Sequence, residues 1–248
     1  MLFEREEIAL VTGAGSGIGR AIALDLAQEG ATVVVNYHKS REGAEDVVEE
    51  IHALGREAVP WQADVTDEDE VRAMLAMVRQ RFRHLDVLVN NAGGNDDGLL
   101  AMMSTKKWEH VLALNLTATF ICARESLKMM MMHRTGSIVN VSSVAGVVGT
   151  EGQANYAAAK GGVNAFTKTL AREGAAFGVR ANAITPGLID TKMTSELPAE
   201  VISLYSEAIP MKRLGTPEEV AHLASFLASD RASYLTGGVI GVDGGLAP

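Results

Sequence analysis

The sequence contains one cysteine, Cys122, among its 248 residues. A single thiol excludes an internal disulfide bond, and such low cysteine usage is typical of the reducing cytoplasm. We therefore expect a cytoplasmic protein in which Cys122 is a small core residue on a helix. The first residues include three acids and no long apolar run, so they do not resemble a signal peptide.

Long hydrophobic stretches and an excess of basic residues are also absent. No segment approaches the roughly 20 apolar residues that a membrane-spanning helix needs. The net charge of −9 argues against nucleic acid as a partner, because the protein would repel its phosphates. A small anionic ligand is compatible with this charge, since local backbone dipoles bind such ligands.

No linker rich in proline, serine or glycine divides the chain, so we expect one domain spanning residues 1–248, and we predict no metal site. Seven short, mostly apolar segments alternate with amphipathic helical patterns. This alternation predicts an α/β fold of the Rossmann type, a doubly wound seven-stranded parallel sheet with helices on both faces. The predicted strands are Ile8–Thr12, Ala31–Asn36, one ending at Asp64, one within Leu85–Gly94, Gly136–Ser143, Val179–Thr185 and Val239–Val242.

A glycine-rich turn follows the first predicted strand. Gly13, Gly17 and Gly19 lie between that strand and a helical pattern that ends at Gly30. Glycines are needed if a pyrophosphate is to approach the N–H groups at the helix N-terminus, because Cβ atoms would block it. The strand Ala31–Asn36 completes a βαβ unit, so the pattern predicts a dinucleotide-binding site.

The end of the second strand indicates which nicotinamide dinucleotide is bound. An acid there binds the ribose 2′-hydroxyl of NAD(H), whereas a base accommodates the 2′-phosphate of NADP(H). Here Lys39 and Arg41 precede the first acid, Glu42, which favours NADP(H) without excluding NAD(H). Both bases also suit ordinary solvated positions at the start of a helix. Tyr37 is a candidate to cover the adenine ring.

Small and polar residues follow three further predicted strands. Asp64 follows the third strand, either as a loop residue or as an acceptor for the adenine amino group. Thr66 or Asp67 is placed to cap the next predicted helix, Glu68–Phe82. The fourth strand ends in the turn Asn90–Gly93, and the fifth ends at Ser143. In a doubly wound sheet, such strand ends border the ligand-binding crevice.

Tyr156 and Lys160 lie four residues apart in a stretch predicted as a helix. Residues one turn apart on one helix face have Cβ atoms about 5–6 Å apart. A neighbouring ammonium favours the phenolate, which would make Tyr156 a general acid/base near neutral pH. Pairs with this spacing are also common on solvated helix faces, so the pair alone does not establish a catalytic site.

Four other features are less specific. Asn115 is an amide in an apolar helical stretch, where it needs hydrogen-bond partners. The methionine-rich run Lys128–Met132 has more apolar surface than one helix buries in its own domain, which indicates a subunit contact. Residues 188–215 have few core signals and are predicted to be a substrate loop or lid. Thr216 and Glu219 then form a capping box that begins a helix.

These motifs have the order of the short-chain dehydrogenase/reductase family, which the chain resembles over essentially its whole length. The segments around Tyr156, after the Asn-Asn-Ala-Gly turn and at the C-terminal end are most similar to 3-oxoacyl-[acyl-carrier-protein] reductases and polyketide ketoreductases. The resemblance implies NADPH-dependent reduction of a 3-oxoacyl thioester. The motifs are Thr12-Gly13-x-x-x-Gly17-x-Gly19, Asn90-Asn91-Ala92-Gly93, Asn115, Ser143, Tyr156-x-x-x-Lys160, Pro186-Gly187 and the final Val-Asp-Gly-Gly.

The resemblance implies catalytic roles for four residues. Tyr156 would donate a proton to the substrate oxygen as hydride arrives from the nicotinamide, and Ser143 would hydrogen-bond the same oxygen. Lys160 would bind the ribose hydroxyls and lower the pKa of Tyr156, and Asn115 would hold a water that links Lys160 to solvent. The expected cofactor contacts, besides Tyr156 and Lys160, are Gly13, Ser16, Gly17, Ile18, Gly19, Asn36, Tyr37, His38, Lys39, Asp64, Val65, Asn91, Ala92, Gly93, Pro186, Gly187, Ile189 and Thr191.

Two departures from the family pattern bear on the cofactor and the partner. Many NADPH-dependent members have an arginine where this chain has Ser16, which leaves the 2′-phosphate to bases at the second strand end or to backbone groups. Members that bind acyl-carrier protein use two basic positions near the active-site mouth. Arg134 matches the first, whereas Phe177 stands at the second. Docking would then use other bases, such as Arg172, or the substrate would have a different carrier or none.

Two alternative functions follow from the same residues. The first is an NAD(H)-dependent alcohol, sugar or steroid dehydrogenase of the same family, which the missing arginine at Ser16 allows. The second is a dinucleotide-sensing protein without catalysis, against which the retained Tyr156 and Lys160 argue.

In this family the two long middle helices and the chain end form subunit contacts, so the resemblance also implies a homotetramer.

Overall fold

Seven parallel strands form one sheet in this computed structural model, which describes residues 1–3, 7–191, 194 and 199–247. The strands are β1 Ile8–Val11, β2 Thr32–Tyr37, β3 Ala58–Gln62, β4 Val87–Asn90, β5 Gly136–Val141, β6 Val179–Pro186 and β7 Val239–Val242. Their order across the sheet is β3-β2-β1-β4-β5-β6-β7. The predicted Rossmann-type doubly wound sheet is confirmed.

Helices cover both faces of the sheet. They are α1 Gly17–Gln28, α2 Arg41–Ala53, α3 Glu68–Phe82, α4 Thr105–Leu112, α5 Ala118–His133, α6 Ala145–Val148, α7 Ala154–Ala175, α8 Ala199–Ala208 and α9 Pro217–Ala228, with short 3₁₀ helices at Leu100–Met102 and Asp230–Ala232. Within the described part of the chain, none of the helices has the length and apolarity that crossing a membrane requires.

The order of the strands reverses at β1, which is the first strand in sequence but lies inside the sheet. Val11 is paired with Val35 of β2 on one side and with Val89 of β4 on the other. The chain winds outward in both directions from this point, so the loops after β1 and β4 diverge. A crevice therefore lies between the carboxyl ends of these two strands.

The core consists of two layers, one on each face of the sheet. Val11 and Ile22 belong to the layer under α1, α2 and α9, whereas Leu10, Met74 and Cys122 belong to the layer under α3, α5 and α7. Cys122 is 1 % exposed, which confirms the prediction of a core position, and burial raises the pKa of its thiol to about 12. Burial on both faces explains why the strands are continuous apolar runs.

Several strand boundaries differ from the predicted ones. β3 ends at Gln62 rather than Asp64, because the Asp64 carboxylate accepts hydrogen bonds from Thr66 and turns the chain. β4 ends at Asn90 and β5 at Val141, so the polar residues that follow them lie in turns. Asp67, one of the two candidate caps, accepts hydrogen bonds from N–H groups in the first turn of α3.

The segment 188–215, whose role as a substrate loop or lid stays a prediction, contains more regular structure than its sequence indicated. Helix α8 lies within this segment, and Ile189 pairs with Gly215 in an isolated parallel bridge. Neither glycine nor proline occurs between Ala199 and Ala208, and several residues there are good helix formers. The remainder of the predicted lid falls partly on residues 192–193 and 195–198, which lie outside the described residues.

The methionine-rich run contributes more to the core than predicted. Met129 and Met130 are buried inside the chain's own fold, whereas Met132 is 76 % exposed. The run thus offers less apolar surface for a subunit contact than its sequence indicated.

The predicted capping box of α9 is present, with reciprocal hydrogen bonds between Thr216 and Glu219.

Candidate active site

The glycine turn after β1 has the geometry of an anion-binding loop. Gly13 and Gly17 have φ angles of 62° and 53°, which residues with a Cβ atom rarely adopt. The exposed N-cap residue Ser16 makes no capping hydrogen bond to the first turn of α1 within the described structure. The N–H groups of that turn therefore suit a pyrophosphate, so the turn fits a dinucleotide cofactor.

Thr12 joins the glycine turn to the turn after β4. Its hydroxyl accepts hydrogen bonds from the N–H groups of Asn91 and Ala92, both at 3.0 Å, and donates to the carbonyl of Val89 at 3.3 Å. The Asn91 amide donates to the carbonyls of Thr12 and Gly13, at 3.0 and 3.2 Å. These bonds bring Asn91, Ala92 and the glycine turn together as predicted. Thr12 itself was not predicted as a site residue.

A second support for the glycine turn comes from α2. A Cβ on Gly43 would overlap the carbonyl oxygen of Gly15, and a Cβ on Gly15 would lie 2.9 Å from the carbonyl oxygen of Ser40. The two glycines therefore allow the start of α2 to pack directly against the turn. Sequence reasoning missed this contact, although a glycine inside a helix costs about 1 kcal/mol and signals a packing constraint.

Asn36 and Tyr37, both predicted cofactor contacts, are buried. Asn36 is 1 % exposed, and its amide accepts from the N–H of Gly13 at 3.3 Å and donates to the carbonyl of Ala63 at 3.2 Å. Tyr37 is 5 % exposed, and the guanidinium of Arg41 lies 5.8 Å from its ring centroid. Asn36 therefore supports the glycine turn through Gly13, and the cofactor contacts expected of Asn36 and Tyr37 stay predictions.

The ends of β2 and β3 place three predicted contacts on the surface beside each other. His38 Nδ1 lies 3.6 Å from the Asp64 carboxylate, and Lys39 is exposed. Burial would raise the pKa of Asp64, but hydrogen bonds from Thr66 and the charges of His38 and Lys39 outweigh it, so that pKa is lowered. Val65 is buried below this group. The surface at the ends of β2 and β3 thus combines the Asp64 carboxylate with the exposed Lys39.

The other wall of the crevice is built by the chain after β6. Pro186 ends the strand, Gly187 follows it, and Ile189 is buried. The hydroxyl of Thr194 donates to the carbonyl of Ile189 at 2.8 Å and accepts the N–H of Thr191 at the same distance. A Cβ on Gly17 would lie 3.7 Å from the Thr191 methyl group. Thr191 therefore lies beside the glycine turn, as predicted.

Ser143 and Tyr156 form a hydroxyl pair at the end of β5 and the start of α7. Burial raises the pKa of Tyr156, its hydrogen bond with Ser143 lowers that pKa, and the negative charge of Asp97 raises it. The net effect is a raised pKa, so the predicted lowering by Lys160 is not found. The physical reason is that burial of the phenol disfavours its charged form more than its neighbours favour it.

Lys160 is buried one helical turn after Tyr156. It is 4 % exposed, its Nζ donates to the carbonyl of Val141 at 2.9 Å, and it lies 5.5 Å from the centroid of the Tyr156 ring. Burial lowers the pKa of Lys160 to about 8. The hydroxyl of Ser142 holds the helix by donating to the Lys160 carbonyl at 3.0 Å. Lys160 therefore lies beside the phenol ring, although it is not among the groups that shift the pKa of Tyr156.

Asn115 occupies a π-helical turn, Ala113–Thr117, between α4 and α5. It is fully buried, and its amide donates to the carbonyls of Gly94 and Val111, at 2.7 and 2.9 Å. A Cβ on Gly93 would lie 2.6 Å from Asn115 Oδ1 and 3.4 Å from Lys160 Nζ, so this glycine lets both side chains approach. The sequence predicted an uninterrupted helix and missed the π turn, a feature often found at functional sites.

Ile18 and Gly19 complete the predicted set. Both lie in the first turn of α1, and a Cβ on Gly19 would overlap the carbonyl oxygen of Gly13. The crevice therefore contains the whole glycine turn, the turn after β4, and the Ser143–Tyr156–Lys160 group. No cluster of three or more histidine, cysteine, aspartate or glutamate side chains is placed to hold a metal ion among the described residues.

A doubly wound sheet with an anion-binding turn at its switch point and an acid/base group facing it is the arrangement of a dinucleotide-dependent oxidoreductase. A family sequence model described as enoyl-(acyl carrier protein) reductase matches residues 13–247. With this match and the relatives below, the chain belongs to the short-chain dehydrogenase/reductase family.

Three relatives illustrate the similarity. The chain is 49 % identical over 238 residues to the 3-oxoacyl-[acyl-carrier-protein] reductase FabG of Staphylococcus aureus, covering 96 % of this chain and 97 % of the relative. It is 49 % identical over 241 residues to the Synechocystis 3-oxoacyl-[acyl-carrier-protein] reductase, covering 97 % and 96 %. It is 46 % identical over 240 residues to FabG of Thermotoga maritima, covering 97 % of each.

Proposed function

We propose that this oxidoreductase reduces a 3-oxoacyl thioester to the 3-hydroxyacyl product with NADPH. The observation that carries the proposal is that the Ser143 hydroxyl lies close enough to the Tyr156 phenol to lower its pKa, beside the buried Lys160. Two hydroxyl groups that converge on one point suit a carbonyl oxygen, which gains negative charge during reduction. The names of the three relatives support the same substrate class.

The bound dinucleotide supplies the hydride that the carbonyl carbon receives. Ser143 donates a hydrogen bond to the carbonyl oxygen, and Tyr156 transfers its hydroxyl proton to that oxygen as charge develops. The raised pKa of Tyr156 keeps the phenol protonated at neutral pH, which the acid role in the reductive direction requires. The carbonyl is thereby converted to an alcohol with one proton from the protein.

Lys160 would return the proton to Tyr156 after each turnover. Its pKa of about 8 allows it to exchange protons near neutral pH, and its ammonium would also bind the nicotinamide ribose hydroxyls. Asn115 lies across Gly93 from Lys160, where it would hold a water that leads to solvent. The chain after β4 would then form the wall of a proton-exchange route.

The preference for NADPH rests on Lys39. Arg41 is committed to neighbours, since its guanidinium donates to Glu45 and Gln62, both at 3.4 Å, and covers the ring of Tyr37. Lys39 is exposed at the end of β2 and near the Asp64 carboxylate, so it is free to reach a 2′-phosphate. We therefore assign the phosphate to Lys39 and the adenine amino group to Asp64.

Two alternatives are distinguishable by assay. The description of the matching family model names reduction of a C=C bond rather than a C=O bond. Ser16, in place of a basic residue, instead favours an NAD(H)-dependent dehydrogenase of the same family. The paired hydroxyl groups favour carbonyl reduction over C=C reduction, because an alkene has no oxygen at the carbon that receives the hydride. They suit an NAD(H)-dependent dehydrogenase equally, so the choice of cofactor and substrate is left to the assay.

The proposal is tested with the purified protein by following oxidation of the reduced cofactor. Acetoacetyl and crotonyl thioesters of coenzyme A are each supplied with NADPH and then with NADH. We expect turnover of the acetoacetyl thioester at a rate at least about tenfold above that of the crotonyl thioester, with NADPH preferred. Turnover of crotonyl alone, or of simple alcohols with NAD alone, would contradict the proposal.

We further propose that the acyl group is presented by an acyl-carrier protein to a cytoplasmic homotetramer. The names of the relatives support the carrier. Arg134, the first expected docking position, is exposed, and its guanidinium donates to the carbonyl of Ala176 at 3.0 Å. Comparing KM for acetoacetyl thioesters of carrier protein and coenzyme A tests the carrier, and light scattering tests the tetramer. Equal KM values would argue against docking.

A further inference from the structure

The first turn of α7 carries the catalytic tyrosine, and its N–H groups need partners outside the helix. The N-cap residue Gln153 makes no side-chain capping bond to this turn. Instead, the side-chain oxygen of Asn155 accepts the N–H of Tyr156 itself, at 2.8 Å. Asn155 is fully buried, so this bond is not shared with solvent.

The other end of the same amide reaches across to two separate segments. Asn155 Nδ2 donates to the carbonyl of Asp96, in the chain after β4, at 3.0 Å, and to the carbonyl of Lys107 in α4 at 3.5 Å. One side chain therefore joins the backbone of Tyr156 to the segment that borders the site on the β4 side. Both amide hydrogens and the oxygen have partners.

Further bonds fasten the same segment to the start of α7. The N–H of Gly98 donates to the carbonyl of Gly152 at 2.8 Å, and the amide of Gln153 donates to the Asp97 carboxylate at 3.0 Å. These two bonds involve exposed or partly exposed groups. Asn155 is the buried member of the set, so its bonds compete least with water.

Resting on the carbonyl reduction proposed above, the geometry points to Asn155 as a positioning residue that sets where the Tyr156 hydroxyl stands relative to Ser143. Ser143 is held independently, since its hydroxyl accepts the N–H of Ala145 at 3.1 Å. The two hydroxyls therefore meet only if the first turn of α7 is placed correctly. Misplacement of a reacting group by about 1 Å costs about 100-fold in rate.

The test compares Asn155→Ala with Asn182→Ala. Asn182 is also fully buried, donates to the carbonyl of Leu235 at 2.9 Å and accepts the N–H of Gly238 at 3.0 Å, but lies on β6 outside the catalytic group. Each variant loses one buried amide that both donates and accepts hydrogen bonds, so we expect similar losses of stability. We expect kcat to fall about 30-fold or more in Asn155→Ala and less than about threefold in Asn182→Ala.

Cofactor affinity and KM separate positioning from general damage. In Asn155→Ala we expect the cofactor Kd and the substrate KM to change less than about threefold, because the binding groups stay in place. Asn155→Ser, whose hydroxyl can replace one of the three hydrogen bonds of the amide, should recover part of kcat and serves if the alanine variant does not fold. Equal kcat losses in Asn155→Ala and Asn182→Ala would overturn the inference.

An ultraviolet titration of the Tyr156 phenol needs no turnover, so it tests the positioning role separately from the proposed reaction. Subtracting the ultraviolet titration of a Tyr156→Phe variant isolates the Tyr156 phenol, which faces Lys160 from its own helix and Asp97 from the chain after β4. In Asn155→Ala this phenol should titrate at lower pH, because it becomes less buried and more distant from Asp97. An unchanged titration would overturn the positioning role, whereas inactive wild-type protein with a shifted titration would overturn only the reaction.

Discussion

Burial and neighbouring groups shift the pKa of the Tyr156 hydroxyl in opposite directions. Burial of the phenol and the charge of Asp97 raise its pKa, whereas its hydrogen bond with Ser143 lowers it. Because the raised pKa favours the protonated phenol, Tyr156 suits the acid step of a reduction better than the base step of an oxidation.

Tyr156→Phe removes the proton donor and leaves the ring. We expect kcat for the acetoacetyl thioester to fall at least about 1,000-fold, since general acid catalysis contributes about 100- to 10,000-fold. Cofactor Kd, measured by fluorescence titration, should change less than about threefold. Retention of more than a tenth of the wild-type rate would refute the acid role.

Lys160 makes stability depend on pH. Its pKa falls from 10.5 to about 8 on burial. Below about pH 8 the ammonium is charged in both states, and burying it costs free energy. As pH rises from about 8 to 10.5, the folded lysine loses its proton while the unfolded one keeps it, so the cost is relieved and the free energy of unfolding rises.

The Lys160→Met variant lacks this titration. Between pH 8 and 10.5, we expect wild type to gain on the order of 3 kcal/mol in the free energy of unfolding relative to the variant, because one pKa unit is about 1.4 kcal/mol. Urea unfolding at several pH values measures the difference. Parallel pH profiles for the two proteins would show that Lys160 has an ordinary pKa in the folded state.

Lys39 and Arg41 provide a matched pair for the 2′-phosphate. Lys39 is exposed and free to bind, whereas Arg41 bonds to Glu45 and Gln62. We expect Lys39→Ala to raise the Kd for NADPH about tenfold and that for NADH less than about twofold, since a charge-assisted contact contributes about 1–3 kcal/mol. Arg41→Ala should affect NADPH less. Equal losses for both cofactors in Lys39→Ala would remove Lys39 from phosphate recognition.

At the scale of elements, the glycine turn depends on the helix behind it. Strand β1 leads into the turn, the N-terminus of α1 leaves it, and the start of α2 supports it through Gly15 and Gly43. The contact is backbone against backbone, so only glycine allows it. The conformation of the glycine turn is therefore coupled to the packing of α2.

Gly43→Ala should disturb the turn from behind. Its Cβ would overlap the Gly15 carbonyl oxygen, so we expect the Kd for either cofactor, measured by fluorescence titration, to rise about tenfold or more. Gly55→Ala is the control, because Gly55 follows the other end of α2 with φ 71° and has open space around it. It should cost stability without changing Kd. Equal Kd changes in both variants would exclude support by Gly43.

Helices and strands with a simple periodic pattern were predictable from the sequence. The π turn around Asn115 and helix α8 were not predicted. Helix α3 was predicted within its observed bounds, because its apolar residues recur at helical spacing and Asp67 caps it. The π turn around Asn115 separates α4 from α5, and no local pattern in the sequence indicated it. Helix α8 was missed because the long segment was judged by its lack of core residues.

At the scale of the whole molecule, Cys122 reports on global stability. It is 1 % exposed in the layer under α5, and burial raises its pKa to about 12. Because the thiolate is the reactive form, we expect Ellman's reagent to label folded protein at least about 100-fold more slowly than urea-denatured protein. As urea is added, labelling should become fast at the same urea concentration at which circular dichroism shows unfolding. Rapid labelling without loss of circular dichroism would place Cys122 in a locally opening region.

The sequence by itself determined the class of fold and predicted which residues form the candidate active site. Runs of apolar residues and glycine turns are local, so they predicted seven strands in one sheet. The family motifs, read in order, predicted the group Ser143, Tyr156 and Lys160. The tertiary structure decided what packing controls: the burial of Asn36, the raised pKa of Tyr156 and the amide of Asn155 that bridges three segments. These depend on residues distant in the chain, because burial and long-range hydrogen bonds exist only once the elements have packed.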